Sequence, residues 1–130
     1  MGPVNWLAVI LAAALAVAVA LVWNGPLFRT GRQILSGDGK PRGNYALVAL
    51  VMLVSAAMLG HNYARIGAET LDERPWLYFM QSGGLALAFV IPAVWLTNLR
   101  RGVDRRTRLV DAGMWLAAYL AMGLVFWALA

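Results

Sequence analysis

Five polar residues near the ends of apolar runs are the best placed in this sequence to do chemistry: Asn24, Asn44, Thr97, Asn98 and Asp111. Amides, a hydroxyl and a carboxylate can hold a small ligand by hydrogen bonds, and the carboxylate can take up or release a proton. A second polar group, Asn5, His61, Asn62 and Gln81, lies near the opposite ends of the same runs. Two readings of the first group stand: a ligand-binding polar pocket, or ordinary hydrogen bonding between helices. Asp111 also has two. It handles a ligand or proton, or it favours a helix N-terminus and pairs with one of Arg105, Arg106 and Arg108.

Other chemistry lacks its residues. Cysteine is absent, which excludes thiolate catalysis, disulfide exchange, Fe–S ligation and cysteine-zinc sites. His61 is the sole histidine, so a haem held by two histidines would need a second chain. It lies off the polar stripe of its own run and reads as an interfacial residue. No nucleophile–base pair, phosphate-binding loop or metal-ligand spacing occurs. No residue is therefore assigned a catalytic or metal-binding role, no cofactor is specified, and nothing marks the chain as an enzyme. Charged residues also avoid the centres of the apolar runs, which argues against proton-coupled transport.

The elements that must position these residues are the runs themselves. The chain has 130 residues, 62% hydrophobic and 13% charged. A water-soluble domain carries about a quarter charged residues, because its surface must meet water. Residues 4–23, 45–63, 76–99 and 109–130 form four runs, each long enough to cross a hydrocarbon core about 30 Å thick. The expected fold is all-α: a four-helix transmembrane bundle, with 1–130 as a single domain. Ala18-Val19-Ala20 has the look of a signal-peptidase site, but no basic residue precedes it and the run continues to Trp23. It is read as part of a retained first span. In the first loop, Ser36 to Pro41 is turn-forming. Residues Pro26 to Leu35 fit a short amphipathic helix at the interface as well as they fit an irregular loop.

Charge sets the orientation. The first loop carries Arg29, Arg32, Lys40 and Arg42, and the third Arg100, Arg101, Arg105, Arg106 and Arg108. The second carries Arg65 and Arg74 beside Glu69, Asp72 and Glu73. Nine basic residues against two place the first and third loops in the cytoplasm and both termini outside (N-out/C-out, periplasmic). Trp6, Trp76 and Trp127 then fall at the outer interface, with Trp23 and Tyr45 at the inner one. The net charge of +5 thus points to anionic lipid headgroups at the cytoplasmic loops rather than to nucleic acid.

Helices in lipid associate through close backbone approach. Ala12 and Ala16 on the first span, Gly84 and Ala88 on the third, and Gly113, Ala117 and Ala121 on the fourth offer it. The fourth also aligns Asp111, Trp115, Ala118 and Met122 roughly opposite its small residues. Two such faces predict contacts both within the bundle and beyond it, with a second copy or another membrane protein. Pro92 is expected to kink the third span.

Four short motifs follow one another in order: Asn5-Trp6-Leu7-Ala8, Trp23-Asn24-Gly25-Pro26-Leu27-Phe28, Thr97-Asn98 and Asp111-Ala112-Gly113. With them the chain resembles, over essentially its whole length, a domain-of-unknown-function family of small bacterial four-span membrane proteins. Asn24 stands where that family more often has tyrosine. The resemblance implies four helices in a bacterial inner (cytoplasmic) membrane and supplies no biochemical role. The functional expectation therefore comes from the residues. It is a non-enzymatic protein acting through helix–helix contacts, as an oligomer or accessory subunit of a membrane complex. The alternative is a carrier or channel for a small or lipid-like molecule using the cytoplasmic polar layer.

Overall fold

The computed structural model describes residues 2–28 and 45–130. Asn44 and the first-loop residues Arg29, Arg32, Lys40 and Arg42 lie outside the described residues, as does most of the segment weighed as an amphipathic helix. The described residues form four helices long and apolar enough to cross a membrane: Trp6–Leu27, Tyr45–Ile66, Trp76–Arg100 and Arg105–Ala128. A short helix, Ala68–Glu73, joins the second span to the third.

Each boundary has a local cause. Asn5 caps the first span, its side-chain oxygen accepting from the Ala8 N–H at 3.1 Å. That span runs past its expected end at Trp23. Pro26 has no N–H to offer the preceding turn, and residues Trp23–Leu27 widen into π geometry instead of breaking. The Phe28 N–H reaches back to the Trp23 carbonyl at 3.0 Å. Pro26 therefore lies inside the last turn of the first span. The third span answers its proline in the same way. Just before Pro92, residues Ala86–Val90 are a π turn, closed by the Ile91 N–H on the Ala86 carbonyl. A π turn thus stands immediately ahead of Pro92.

The fourth span starts at Arg105, ahead of the expected residue 109. Asp104 is the reason. Its carboxylate accepts from the Thr107 N–H at 3.1 Å and the Thr107 hydroxyl at 2.7 Å. Arginines in a first turn oppose the helix dipole, and an acidic cap offsets them. The preceding helix closes on Gly102, whose φ of 71° suits glycine. The Gly102 N–H bonds the Leu99 carbonyl and the Val103 N–H bonds that of Asn98, at 3.1 and 3.0 Å. This double bond pattern is the Schellman stop. A tight hairpin results, and it sets Asn98 across from the second turn of the fourth span.

The first and fourth spans form the central pair; the second packs on the first and the third on the fourth. The first span contributes Ala8, Ala12 and Ala16, all fully buried. Gly60 of the second span lets it approach: a Cβ there would sit 2.9 Å from a Val9 methyl and 3.2 Å from one of Val4. The fourth span buries Met114, Ala118, Met122 and Phe126, one row at four-residue spacing. Near mid-span the Tyr119 hydroxyl donates to Ser55 Oγ at 3.0 Å. Large apolar side chains such as Leu7, Ile10, Leu50, Leu87 and Phe89 point outward, the arrangement a lipid solvent asks for.

The sequence aligns Gly84 and Ala88 on one stripe of the third span, yet both are exposed. The face turned inward is Tyr78, Ser82, Gly83 and Ala86. Ser82 and Gly83 are small where the fourth span's Gly123 and Leu120 come close, and that fit decides the rotation. The fourth span buries the largest share of the four and packs on both the first and the third within the chain. Trp23 covers Gly113, and Ala117 and Ala121 are half-buried.

The chain's two ends, the terminal end (both termini and the second loop) and the basic end (first and third loops), are built differently. At the terminal end the Tyr63 hydroxyl donates to the Tyr78 carbonyl at 2.7 Å, and Ser82 Oγ donates to the same oxygen at 3.0 Å. Tyr63 stacks obliquely on Tyr78 and Phe126, with centroids 4.9 and 5.0 Å apart. Asn5 Nδ2 donates to the Leu129 carbonyl at 3.3 Å and so ties the start of the first span to the end of the fourth.

Candidate functional site

The basic end gathers the polar side chains that the sequence singles out, and it divides them. Asn98 Nδ2 donates to Asp111 Oδ2 at 2.8 Å, across the hairpin built by Gly102 and Asp104. Asp111 sits in the second turn of its helix, and the residue at the N-terminus itself is Asp104, the cap. The partner of Asp111 is an amide and not an arginine. The other carboxylate oxygen, Oδ1, is buried with no hydrogen-bond partner. A buried carboxylate oxygen left this way is costly unless something else reaches it.

Thr97 is exposed and returns its hydroxyl to the Ala93 carbonyl of its own helix at 2.9 Å. Asn24 is buried, and its Nδ2 donates to Ala20 one turn back at 2.9 Å. Of the predicted polar layer, then, Asn98 and Asp111 come together, and Thr97 turns away.

Around the Asn98–Asp111 pair opens a cleft of about 420 Å³, lined by Asn98, Arg101, Asp104, Thr107 and Asp111. Thr107 holds the Asp104 carboxyl below the usual carboxylate range, first through its hydroxyl and then through its N–H. Asp104 and Thr107 went unassigned from sequence, although Asp-x-x-Thr ahead of a helix is a readable cap signal. Elsewhere in the first turn of the fourth span, the Arg108 guanidinium lies 4.9 Å from the centre of the Trp95 ring, and its Nε is buried without a partner.

On the other flank of the fourth span, Trp23 fixes the first span against it. The indole N–H donates to the Val110 carbonyl at 2.9 Å, and a Cβ on Gly113 would come within 2.8 Å of the ring. Asp111-Ala112-Gly113 therefore serves two neighbours, Asp111 toward the third span and Gly113 toward the first.

A family model described as a protein of unknown function, DUF1761, matches residues 7–127. The chain belongs to the DUF1761 family. No curated protein and no solved structure matches it. Within the span of the DUF1761 match, the Trp23–Phe28, Thr97-Asn98 and Asp111–Gly113 motifs all fall at the basic end. In this DUF1761 chain Asn5 precedes the matched residues and acts as a helix cap.

His61 is exposed on the second span near the terminal end. Its Nδ1 lies 2.8 Å from the Ala57 carbonyl, and its ring meets Trp6 edge-on at 6.0 Å. Among the described residues no three His, Cys, Asp or Glu side chains gather to hold a metal ion.

Proposed function

We propose that this DUF1761 protein acts without catalysis, through helix–helix contacts, as an oligomer or an accessory subunit of a membrane complex. Its setting is the bacterial inner membrane, with both termini periplasmic. That orientation is supported by the nine basic residues of the first and third loops against two in the second.

One observation carries the reading: the outward face of the third span. Gly84 and Ala88 are exposed one turn apart, and nothing lies within 4 Å of where a Cβ on Gly84 would be. Gln81, half-buried, stands a turn before Gly84. In lipid, small residues allow backbones to approach closely, and a side-chain amide can bond across the contact. This span also buries the smallest share of its residues of the four.

The absence of cysteine makes the test clean. In Ala88→Cys the new thiol is the sole one, and mild oxidation of native membranes should yield a disulfide-linked pair or a link to a partner. Adding Gly84→Leu should abolish that link. A chain that stays uncrosslinked, runs as a monomer in native mass spectrometry and co-purifies with nothing overturns the proposal.

A second reading rests on the unpartnered Asp111 Oδ1 beside its cleft. There the protein is a carrier or channel for a small or lipid-like molecule, bound between Asn98 and Asp111. Unchanged uptake and binding in Asp111→Asn would remove it.

A further inference from the structure

The start of the fourth span has a second cleft, on the flank away from Asp104, with a different chemistry. It measures about 480 Å³ and is lined by Trp23, Phe28, Leu109 and Val110 below and by Arg105 and Arg106 above. That volume lies within the roughly 300–1,000 Å³ typical of ligand sites. Four-residue spacing produces this layering: Arg105 stands one turn above Leu109, and Arg106 one turn above Val110.

The walls are held in place. Trp23 is pinned by its bond to the Val110 carbonyl and by contact with Gly113. Phe28 packs on Trp23 with ring centroids 4.9 Å apart, at the end of the π turn that Pro26 imposes. Arg105 and Arg106 are exposed, and the Asp104 carboxylate turns to Thr107 on the other cleft. The cleft therefore has an apolar floor and a cationic rim, at the end of helices that cross a membrane.

We propose that this cleft binds one anionic phospholipid, its acyl chain against Trp23, Leu109 and Val110 and its phosphate on Arg105 and Arg106. A free phosphate would use the rim and leave the apolar floor bare. A zwitterionic lipid would fill the floor but bring a cationic group toward two arginines. An anionic phospholipid satisfies both parts, and basic pockets between spans are suited to such headgroups. The inference is independent of the oligomer reading, because it concerns the first and fourth spans and not the outward face of the third.

Native mass spectrometry of the full chain in mild detergent tests it, with phosphatidylglycerol, phosphatidylcholine or inorganic phosphate titrated in turn. One phosphatidylglycerol per chain should be retained in preference to the other two. Arg105→Gln with Arg106→Gln should weaken retention about tenfold or more. Leu109→Trp, which fills the floor and leaves the charges intact, should weaken it as well. Lys40→Gln with Arg42→Gln removes the same charge from the first loop and should leave retention unchanged. Equal loss in both charge pairs would reduce the effect to diffuse surface charge and overturn the site. So would phosphatidylcholine or phosphate binding as well as phosphatidylglycerol, or no effect of Leu109→Trp.

Discussion

The terminal end and the basic end of this bundle treat their polar atoms in opposite ways. At the terminal end the Tyr63 hydroxyl and Ser82 Oγ converge on the Tyr78 carbonyl, and Asn5 bridges the first and fourth spans. At the basic end Asp111 Oδ1 and Arg108 Nε are buried without partners, and two clefts flank the same helix start. Both clefts lie beside π turns or tight hairpins rather than regular helix. The contrast is one of polar satisfaction: the terminal end pairs its buried polar atoms across helices, and the basic end leaves two of them unpaired.

The comparison breaks first at Gly123. A Cβ there would collide with the Ser82 hydroxyl and lie 3.0 Å from the Tyr78 carbonyl oxygen, which is backbone and cannot step aside. Gly123→Leu should cost about 1–3 kcal/mol or more, seen as a clear fall in melting temperature in mild detergent. A variant as stable as the parent would mean that the terminal end does not depend on this close fit.

A smaller effect is expected at the basic end. Asp111→Asn keeps an acceptor for Asn98 and removes a charge whose Oδ1 has no partner. Its stability should stay within about 0.5 kcal/mol of the parent. A large loss in the same melting assay would make Asp111 a structural group and erase the contrast between the ends.

The smallest effect is at Asp104, which is fully exposed. Its carboxyl is held low, so the cap is at full strength above the ordinary carboxylate range and fades as pH falls through the lowered value. Asp104→Ala should lower the melting temperature slightly at neutral pH, and the gap from the parent should shrink on acidification below about pH 4. A gap that does not change with pH would assign the effect to helix propensity rather than to the carboxylate.

Much of the fold was legible in the residues. Unbroken apolar runs reveal membrane-crossing helices, because each run must satisfy its backbone bonds internally. Span ends were less legible where charge and helix overlap. Arg105, Arg106 and Arg108 read as loop because they are charged, yet backbone hydrogen bonding continues through them once Asp104 caps the turn. The site was half legible. Asn98 and Asp111 were both named, but their pairing depends on the hairpin closed by Gly102 and Val103. Thr97 carries the same polarity one residue away and spends it on its own helix.

The sequence alone determined four apolar helices, the clustering of basic residues in two loops, and the absence of thiol chemistry. These follow from composition and local spacing, which need no neighbour to be read. The tertiary structure decided which face of each helix turns inward. A helical wheel shows that Gly84 and Ala88 share a stripe; only the fit of Ser82 and Gly83 against the fourth span turns that stripe outward. It likewise decided that Trp23 lies over Gly113 and that Asp111 keeps one oxygen unpartnered. Rotation and pairing are properties of two surfaces meeting, and one helix's periodicity carries no record of its partner.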